Sequence, residues 1–262
     1  MTMKFYKPLL LLIAAAHCGT SIATECTAAA LYAPATDGTH LVCDAQLSAL
    51  FGYDVSAKQP VWAVYDVTNT PFNGFIENRG VNKYIPNLAK NKQQNYENVK
   101  GVDKAYLVAP YLLLKNERYL ENTFALNNII PINKEMWRGD LREVLFALDR
   151  LERTMVASKG SVTAIHGAIG GRGAAPPTHL YRVYYQHQYG LSLAFLMPIK
   201  SPMVLDVEHY ITSIDCIEKT GQIDLFAQLP VDAQLDLENK TATSTDVWAR
   251  LDGIKEGERC DY

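Results

Sequence analysis

The sequence predicts a single α+β domain. Helix-type and strand-type patterns alternate along the chain, with no internal repeat and no linker between them. The composition is that of a globular protein: 48% of the 262 residues are hydrophobic, which excludes disordered, collagen-like and low-complexity classes. The formal net charge of −3 excludes a strongly basic nucleic-acid-binding protein, although it leaves room for a small basic groove.

The first residues have the pattern of a secretory signal peptide. Two lysines precede an apolar run over residues 9–16, and Ser21-Ile22-Ala23 supplies the small residues that a signal peptidase requires. The run is far shorter than the ~20 apolar residues that span a bilayer. We therefore expect residues 1–23 to be removed. The mature domain, residues 24–262, is then expected in the periplasm or outside the cell, without a membrane segment.

The number of cysteines is consistent with export. Removal of residues 1–23 leaves four cysteines, an even number, in a compartment where disulfides form. Four cysteines allow three pairings. We favour Cys26–Cys43, which would pin the N-terminal segment, and Cys216–Cys260, which would tie the tail to the body. The sequence has no C-x-x-C motif and no His/Cys cluster, so a structural zinc site is not expected.

The first half of the mature chain carries one clear strand and one clear helix. Residues 61–67 are apolar and aromatic and lie between prolines, which predicts a strand. Residues 79–99 are polar and predict a long loop. Residues 141–157 predict a helix, because leucines and a valine recur at i, i+3, i+4 and i+7 before Gly160.

The second half predicts more strands. Residues 161–165 form a short strand pattern ahead of a glycine-rich loop, Gly167–Gly173, and residues 180–185 and 191–197 predict two strands around a polar turn. The glycine-rich loop lacks the Lys-Ser/Thr of a P-loop, so a turn between strands is favoured over a phosphate cradle. Residues 231–262 are polar and poorly patterned and predict a C-terminal extension.

The order of several segments resembles the DNA/RNA non-specific endonucleases, a family that includes secreted bacterial nucleases and mitochondrial endonuclease G. The resemblance spans about residues 41–226 and implies an antiparallel sheet core with a ββα-metal motif. The segments that carry it, in the family's order, are Lys58–Tyr65, Arg79 ahead of Pro86-Asn87, Thr123–Pro131, Pro177–Val183 and Ile214–Gly221.

The catalytic motif departs from the family pattern. The family's Asp-Arg-Gly-His becomes Asp103-Lys104-Ala105-Tyr106, which puts Tyr106 at the position of the catalytic histidine. A general base works best with a pKa near the working pH, whereas a phenol with a pKa of about 10 is protonated there. The resemblance still assigns Asp103 and Lys104 to the motif and Arg79 to the phosphate. Lys100, Lys104 and Arg79 would face nucleic acid, or belong to a solvated basic loop.

The metal ligand departs as well. The resemblance implies one Mg²⁺ bound by an asparagine on the helix that follows Pro131. One alignment puts Trp137 at the ligand position, and an indole cannot coordinate Mg²⁺, which takes oxygen ligands. A second alignment leaves Asn133 as the ligand, and Asn128 is another nearby oxygen donor. His166 ends a predicted strand, where a buried, hydrogen-bonded histidine is favoured over a displaced general base.

Three functions are open on the sequence alone. The favoured one is an exported, catalytically degenerate nuclease homologue that acts by binding nucleic acid or a protein partner and needs no cofactor. The first alternative is an active Mg²⁺-dependent endonuclease that cleaves DNA and RNA with rearranged site residues. The second is a disulfide-stapled interaction protein unrelated to phosphate chemistry. Members of the family often dimerise, so a homodimer is also open.

Overall fold

The structure is a computed structural model that describes residues 26–67, 96, 99–109, 123–246, 254–256 and 260. The predicted signal peptide and Arg79 lie outside these residues. A mixed α+β fold is confirmed, and its sheets are antiparallel throughout the described part of the chain. Within that part, no helix combines the length and the apolar character needed to cross a membrane.

A seven-stranded sheet forms the centre, in the order β1-β2-β3-β6-β7-β8-β9. Its strands are β1 (Thr39–Asp44), β2 (Ala49–Asp54), β3 (Gln59–Val67), β6 (Val162–Ile169), β7 (His179–Gln186), β8 (Leu191–Pro198) and β9 (Ile211–Thr212). The strands predicted at 61–67, 180–185 and 191–197 are confirmed as β3, β7 and β8.

A two-stranded sheet and two helices lie between β3 and β6 in the chain. Strands β4 (Val102–Tyr106) and β5 (Ile129–Asn133) pair antiparallel, and helices α2 (Lys134–Arg138) and α3 (Asp140–Lys159) follow directly. The predicted helix over 141–157 is confirmed as α3. The chain order strand, strand, helix is the order that a ββα motif requires.

Shorter elements complete the described chain. They are helices α1 (Thr27–Ala30), α4 (Ile214–Gly221) and α5 (Val231–Glu238), strands β10 (Lys240–Ala242) and β11 (Ile254–Glu256), and 3₁₀ turns at Leu126–Asn128 and Val207–Tyr210. Helix α5 and strands β10 and β11 fall within residues 231–262, where the sequence pattern indicated no element. Both expected disulfides form, with Cα–Cα distances of 5.9 Å for Cys26–Cys43 and 5.5 Å for Cys216–Cys260.

Both faces of the large sheet are covered, so its strands are buried on both sides. Side chains alternate between the faces along a strand. On one face Tyr65 and Ala164 join a core with Leu141 and Leu148 of α3. On the other face Trp62, Val64, Ile165 and Tyr181 join a core with Ile214 and Ile217 of α4. We call these the α3 face and the α4 face.

Gly167 lies inside β6, where the sequence predicted the start of a loop. It pairs with Trp62 on one side and with Tyr181 on the other. A Cβ at Gly167 would stand 2.2 Å from Cζ of Tyr181, so the tyrosine ring occupies the space above this glycine. The glycine is therefore a packing requirement within the strand and does not mark its end.

Candidate functional site

Tyr106 ends β4, beside the helices that follow β5. It is half-buried and pairs with Ile129, and its ring meets the ring of Phe124 at a centroid distance of 5.5 Å and an angle of 76°. Tyr96 and Leu126 pack in the same small cluster. The phenol at the position assigned to a catalytic histidine thus belongs to an aromatic cluster.

The charged residues of the same motif lie along β4. The carboxylate of Asp103 accepts the backbone N–H of Lys104 at 2.9 Å. Lys100 is exposed in the turn that precedes the strand, and the N–H of Lys134 donates to the carbonyl of Gly101 at 2.9 Å. The second hydrogen bond places the start of α2 beside the turn that precedes β4.

Asn128 is completely buried, and backbone groups satisfy its side-chain amide. Its Oδ1 accepts the N–H of Val108 at 2.7 Å, while its Nδ2 donates to the carbonyls of Val108 and Thr123 at 2.8 Å each. The side chain therefore joins the segment that leaves β4 to the segment that enters β5. The adjacent Asn127 is equally buried, but its amide has no hydrogen-bond partner.

Asn133 caps the N-terminus of α2. Its Oδ1 accepts the N–H groups of Glu135 at 2.8 Å and Met136 at 3.2 Å, as an asparagine in an N-cap position does. Trp137, one turn further, is partly buried and packs against the core of the α3 face. The structure thus brings these three residues near β4 but gives both amide oxygens, of Asn128 and Asn133, to backbone N–H groups.

His166 lies behind β4, buried on the α3 face. Its Nδ1 is 2.6 Å from the carbonyl oxygen of Leu107, so Nδ1 carries the proton and Nε2 is the acceptor. Oε2 of Glu152 lies 3.6 Å from Nε2, and the hydroxyl of Tyr65 donates to Oε1 of Glu152 at 3.0 Å. His166 is a buried, hydrogen-bonded histidine.

Burial decides the protonation of this pair. It raises the pKa of Glu152 to about 8 and lowers the pKa of His166 well below its ordinary value. Both groups are therefore neutral at neutral pH. An ion pair lies beside them, in which Nη1 of Arg182 donates to Asp149 at 2.7 Å. The cluster connects the large sheet to α3.

A small cavity separates Tyr106 from this cluster. Tyr106 lines this cavity together with Leu107, His166 and Arg182, and the cavity volume is about 20 Å³. That is room for about one water molecule, given that a water needs ≳ 10–15 Å³. A phosphodiester does not fit between the tyrosine and the histidine in this arrangement.

A larger cavity, of about 180 Å³, opens at one end of the large sheet on the α4 face. We call it the sheet-end cavity. It lies between Trp62, Tyr181, Asp54 at the end of β2 and the loop Gly170–Arg172 after β6. The sequence showed the glycine-rich loop, but the pairing that brings β2, β3 and β7 to it is long-range, so the cavity was not predicted.

An acidic group lies around α4 and the end of α5. Carboxylate oxygens of Glu218, Asp224 and Glu238 lie within 4.8 Å of one another, and among the described residues this is the group that could hold a metal ion. Burial, opposed by a hydrogen bond from the N–H of Leu225 and reinforced by Glu238, raises the pKa of Glu218 to about 8. It is distant in sequence from β4 and α2, where the Mg²⁺ site was expected.

No protein-family model matches the sequence. No curated protein matches it either.

Proposed function

We propose that this chain is an exported, non-catalytic protein of nuclease-like architecture that acts by binding. One observation carries the proposal: the side chains at the assigned catalytic and metal positions are engaged in packing and in backbone hydrogen bonds. The strand-strand-helix order of β4, β5 and α3 supports the architecture. The two disulfides, Cys26–Cys43 and Cys216–Cys260, support export.

The loss of a general base argues against hydrolysis. Tyr106 packs edge-on against Phe124. A phenol, unlike an imidazole, is a poor general base near neutral pH. His166, the nearest alternative, uses Nδ1 to bind Leu107 and turns Nε2 toward Glu152. The loss of a general base typically costs ~10²–10⁴ in rate.

The residues present do not fit the Mg²⁺ that the family resemblance implies. Mg²⁺ takes oxygen ligands in near-octahedral geometry and keeps several waters. The amide oxygen of Asn128 is buried against the N–H of Val108, and that of Asn133 caps α2. Trp137 adds an apolar ring and no ligand atom. We therefore assign no metal-dependent step to this site.

Nucleic acid is the partner that the β4–α2 surface favours. Lys100, Lys104, Lys134 and Arg138 outnumber Asp103 and Glu135 on the described part of this surface. Lysines and arginines that contact phosphates supply affinity without sequence specificity. Binding is expected to be weak, because only a few cations contribute, and to fall with added salt in proportion to those few phosphate contacts.

The proposal is tested with the mature, oxidised protein and with plasmid DNA and RNA, each in Mg²⁺, Mn²⁺ or EDTA. We expect no metal-dependent cleavage and a gel retardation that decreases with added salt. Tyr106→Phe is the matched control, because it keeps the ring against Phe124 and removes the phenol. Any cleavage that belongs to the protein must change in this variant if Tyr106 takes part.

Each other outcome has a definite meaning. Metal-dependent cleavage that purifies with the protein would show an active endonuclease and overturn the proposal. Absence of both cleavage and retardation would leave a binding protein whose partner is a protein, and would remove nucleic acid as its ligand. Tyr106→His alone is expected to restore no cleavage, because the metal ligands would still be missing.

A further inference from the structure

We propose that the sheet-end cavity binds a neutral, hydroxyl-rich ring of the size of one monosaccharide. The cavity lies on the α4 face of the large sheet, while β4, β5 and α3 lie on the other face. The two sites open on opposite faces, although Tyr181 borders both this cavity and the small cavity beside Tyr106. The proposal does not depend on the proposed nucleic-acid binding.

The rings of Trp62 and Tyr181, which we call the floor of the cavity, belong to a row of alternating glycines and aromatic residues across four strands. Gly52 pairs with Trp62, Trp62 with Gly167, and Gly167 with Tyr181, across β2, β3, β6 and β7. A Cβ at Gly52 would stand 2.1 Å from the indole of Trp62, so each ring takes the space that its neighbouring glycine leaves. The rings are thereby held in fixed positions along the floor.

The hydroxyl of Tyr181 is the polar group that this floor offers. The side chain is 98% buried and lines the cavity, and burial is the sole cause that raises the pKa of its phenol. Within the described chain, no hydrogen bond reaches this hydroxyl. By contrast, the indole N–H of Trp62 donates to Oγ1 of Thr36 at 3.2 Å. A buried phenol without a protein partner is a group that a ligand can satisfy.

Both signs of charge stand at the cavity wall. Oδ2 of Asp54 lies 3.7 Å from Nη1 of Arg172, whose side chain is largely exposed. Burial opposes the ionisation of Asp54. Hydrogen bonds from Ser56 and Ala57, with the charge of Arg172, outweigh burial and lower its pKa. At neutral pH the wall therefore presents a carboxylate acceptor and a guanidinium donor side by side.

This combination fits a neutral ligand better than a phosphate or a carboxylate. Asp37 and Asp54 both line the cavity against the one cation Arg172, which is paired with Asp54, so an anion would meet an excess of acidic side chains. A sugar hydroxyl both donates and accepts, so one ring can satisfy the carboxylate, the guanidinium and the Tyr181 hydroxyl together. The volume of about 180 Å³ is below the roughly 300–1,000 Å³ of pockets for drug-sized ligands, which suits a single ring.

The loop at the mouth is constrained. Gly170 and Gly171 both have φ of +69°, and a Cβ on Gly171 would stand 2.5 Å from the carbonyl oxygen of Pro176. Side chains other than glycine are strained in this region of backbone space. The loop is thus held in a tight conformation that keeps Arg172 beside Asp54.

The experiment is a titration of the mature, oxidised protein with glucose, galactose, mannose and N-acetylglucosamine, followed by calorimetry and ligand-observed NMR. The methyl α- and β-glycosides of each sugar distinguish a free sugar from the end of a glycan chain. We expect saturable binding of at least one neutral sugar, unchanged between low and high salt. Tyr181→Phe should weaken it about five- to tenfold, the size of one lost hydrogen bond.

Tyr185→Phe is the matched control, because it makes the same change on the same strand outside the cavity and should leave the affinity unchanged. Three results would overturn the proposal: no saturable binding of any neutral sugar, tighter binding of inorganic phosphate or sialic acid than of neutral sugars, or equal affinity of wild type and Tyr181→Phe. Cooperative urea unfolding of both variants confirms that each is folded.

Discussion

The ring of Tyr181 lies across Gly167 on the neighbouring strand, so close that a methyl group on the glycine would overlap Cζ of the ring. We expect Gly167→Ala to lower the free energy of unfolding by about 1–3 kcal/mol, the usual range for overpacking a core. In a Tyr181→Ala background the added methyl has space, so its cost should vanish. Urea denaturation of the four proteins gives a coupling energy, and purely additive costs would contradict the contact.

The neutral pair of Glu152 and His166 predicts an opposite pH dependence from each partner. Glu152 has its pKa raised to about 8 in the folded state, so its contribution to stability is complete below the unfolded pKa. That contribution is lost as the pH rises toward 8. His166 has its pKa lowered, so its contribution is complete above the unfolded pKa and is lost as the pH falls.

Glu152→Gln separates the two effects, because glutamine keeps the shape of the protonated acid. We expect the variant to lose less stability than the wild type between pH 5 and pH 8, by at least about 1 kcal/mol, since one pKa unit corresponds to about 1.4 kcal/mol. Urea denaturation across this pH range measures it. Parallel stability curves for the two proteins would contradict the neutral state of Glu152.

The adjacent asparagines 127 and 128 make a matched pair for testing whether Asn128 is structural. Both are fully buried, but only Asn128 is hydrogen-bonded. Asn128→Leu leaves three backbone groups without partners and should cost about 3 kcal/mol or more. Asn127→Leu removes an unsatisfied amide and should cost much less. Equal costs would contradict the assignment, as would a rise of Tm with Mg²⁺ that Asn128→Leu abolishes.

The Cys26–Cys43 disulfide is expected to contribute to stability. It closes a loop of sequence separation 17 and attaches the segment before α1 to β1. The double variant Cys26→Ser/Cys43→Ser should be less stable by about 2–4 kcal/mol, with the other disulfide intact. Urea denaturation under non-reducing conditions measures the difference. A difference below about 0.5 kcal/mol would show that packing alone holds this segment.

The sequence predicted the helices and strands whose residue patterns are contained within a short stretch of chain. Helix α3 followed from leucine spacing, and β3, β7 and β8 followed from apolar and aromatic runs bounded by turns. Gly167 was assigned to a loop because a glycine weakens a strand pattern. A glycine is needed there because the ring of Tyr181, on the neighbouring strand, occupies the space of a side chain. Helix α5 was missed because its faces are weakly distinguished, with Val231 and Leu235 exposed.

The candidate sites show the same limit. The prediction that Tyr106 occupies the position of a catalytic histidine came from the sequence, because it rests on the order of residues in a motif. The contacts of the Asn128 amide with Val108 and Thr123 depend on where the chain returns in space. Asn133, by contrast, caps α2 through residues next to it in sequence. The sheet-end cavity requires four strands in register, which no local window contains.

The pairing of β3 with β6 has a consequence for how this protein can change over evolution. Strands β3 and β6 are hydrogen-bonded neighbours in the large sheet, although β4, β5, α2 and α3 lie between them in the chain. Selection can therefore alter the β4–β5 unit while the opposite face keeps its shape. In a protein built in this way, the two faces of one sheet can diverge at different rates.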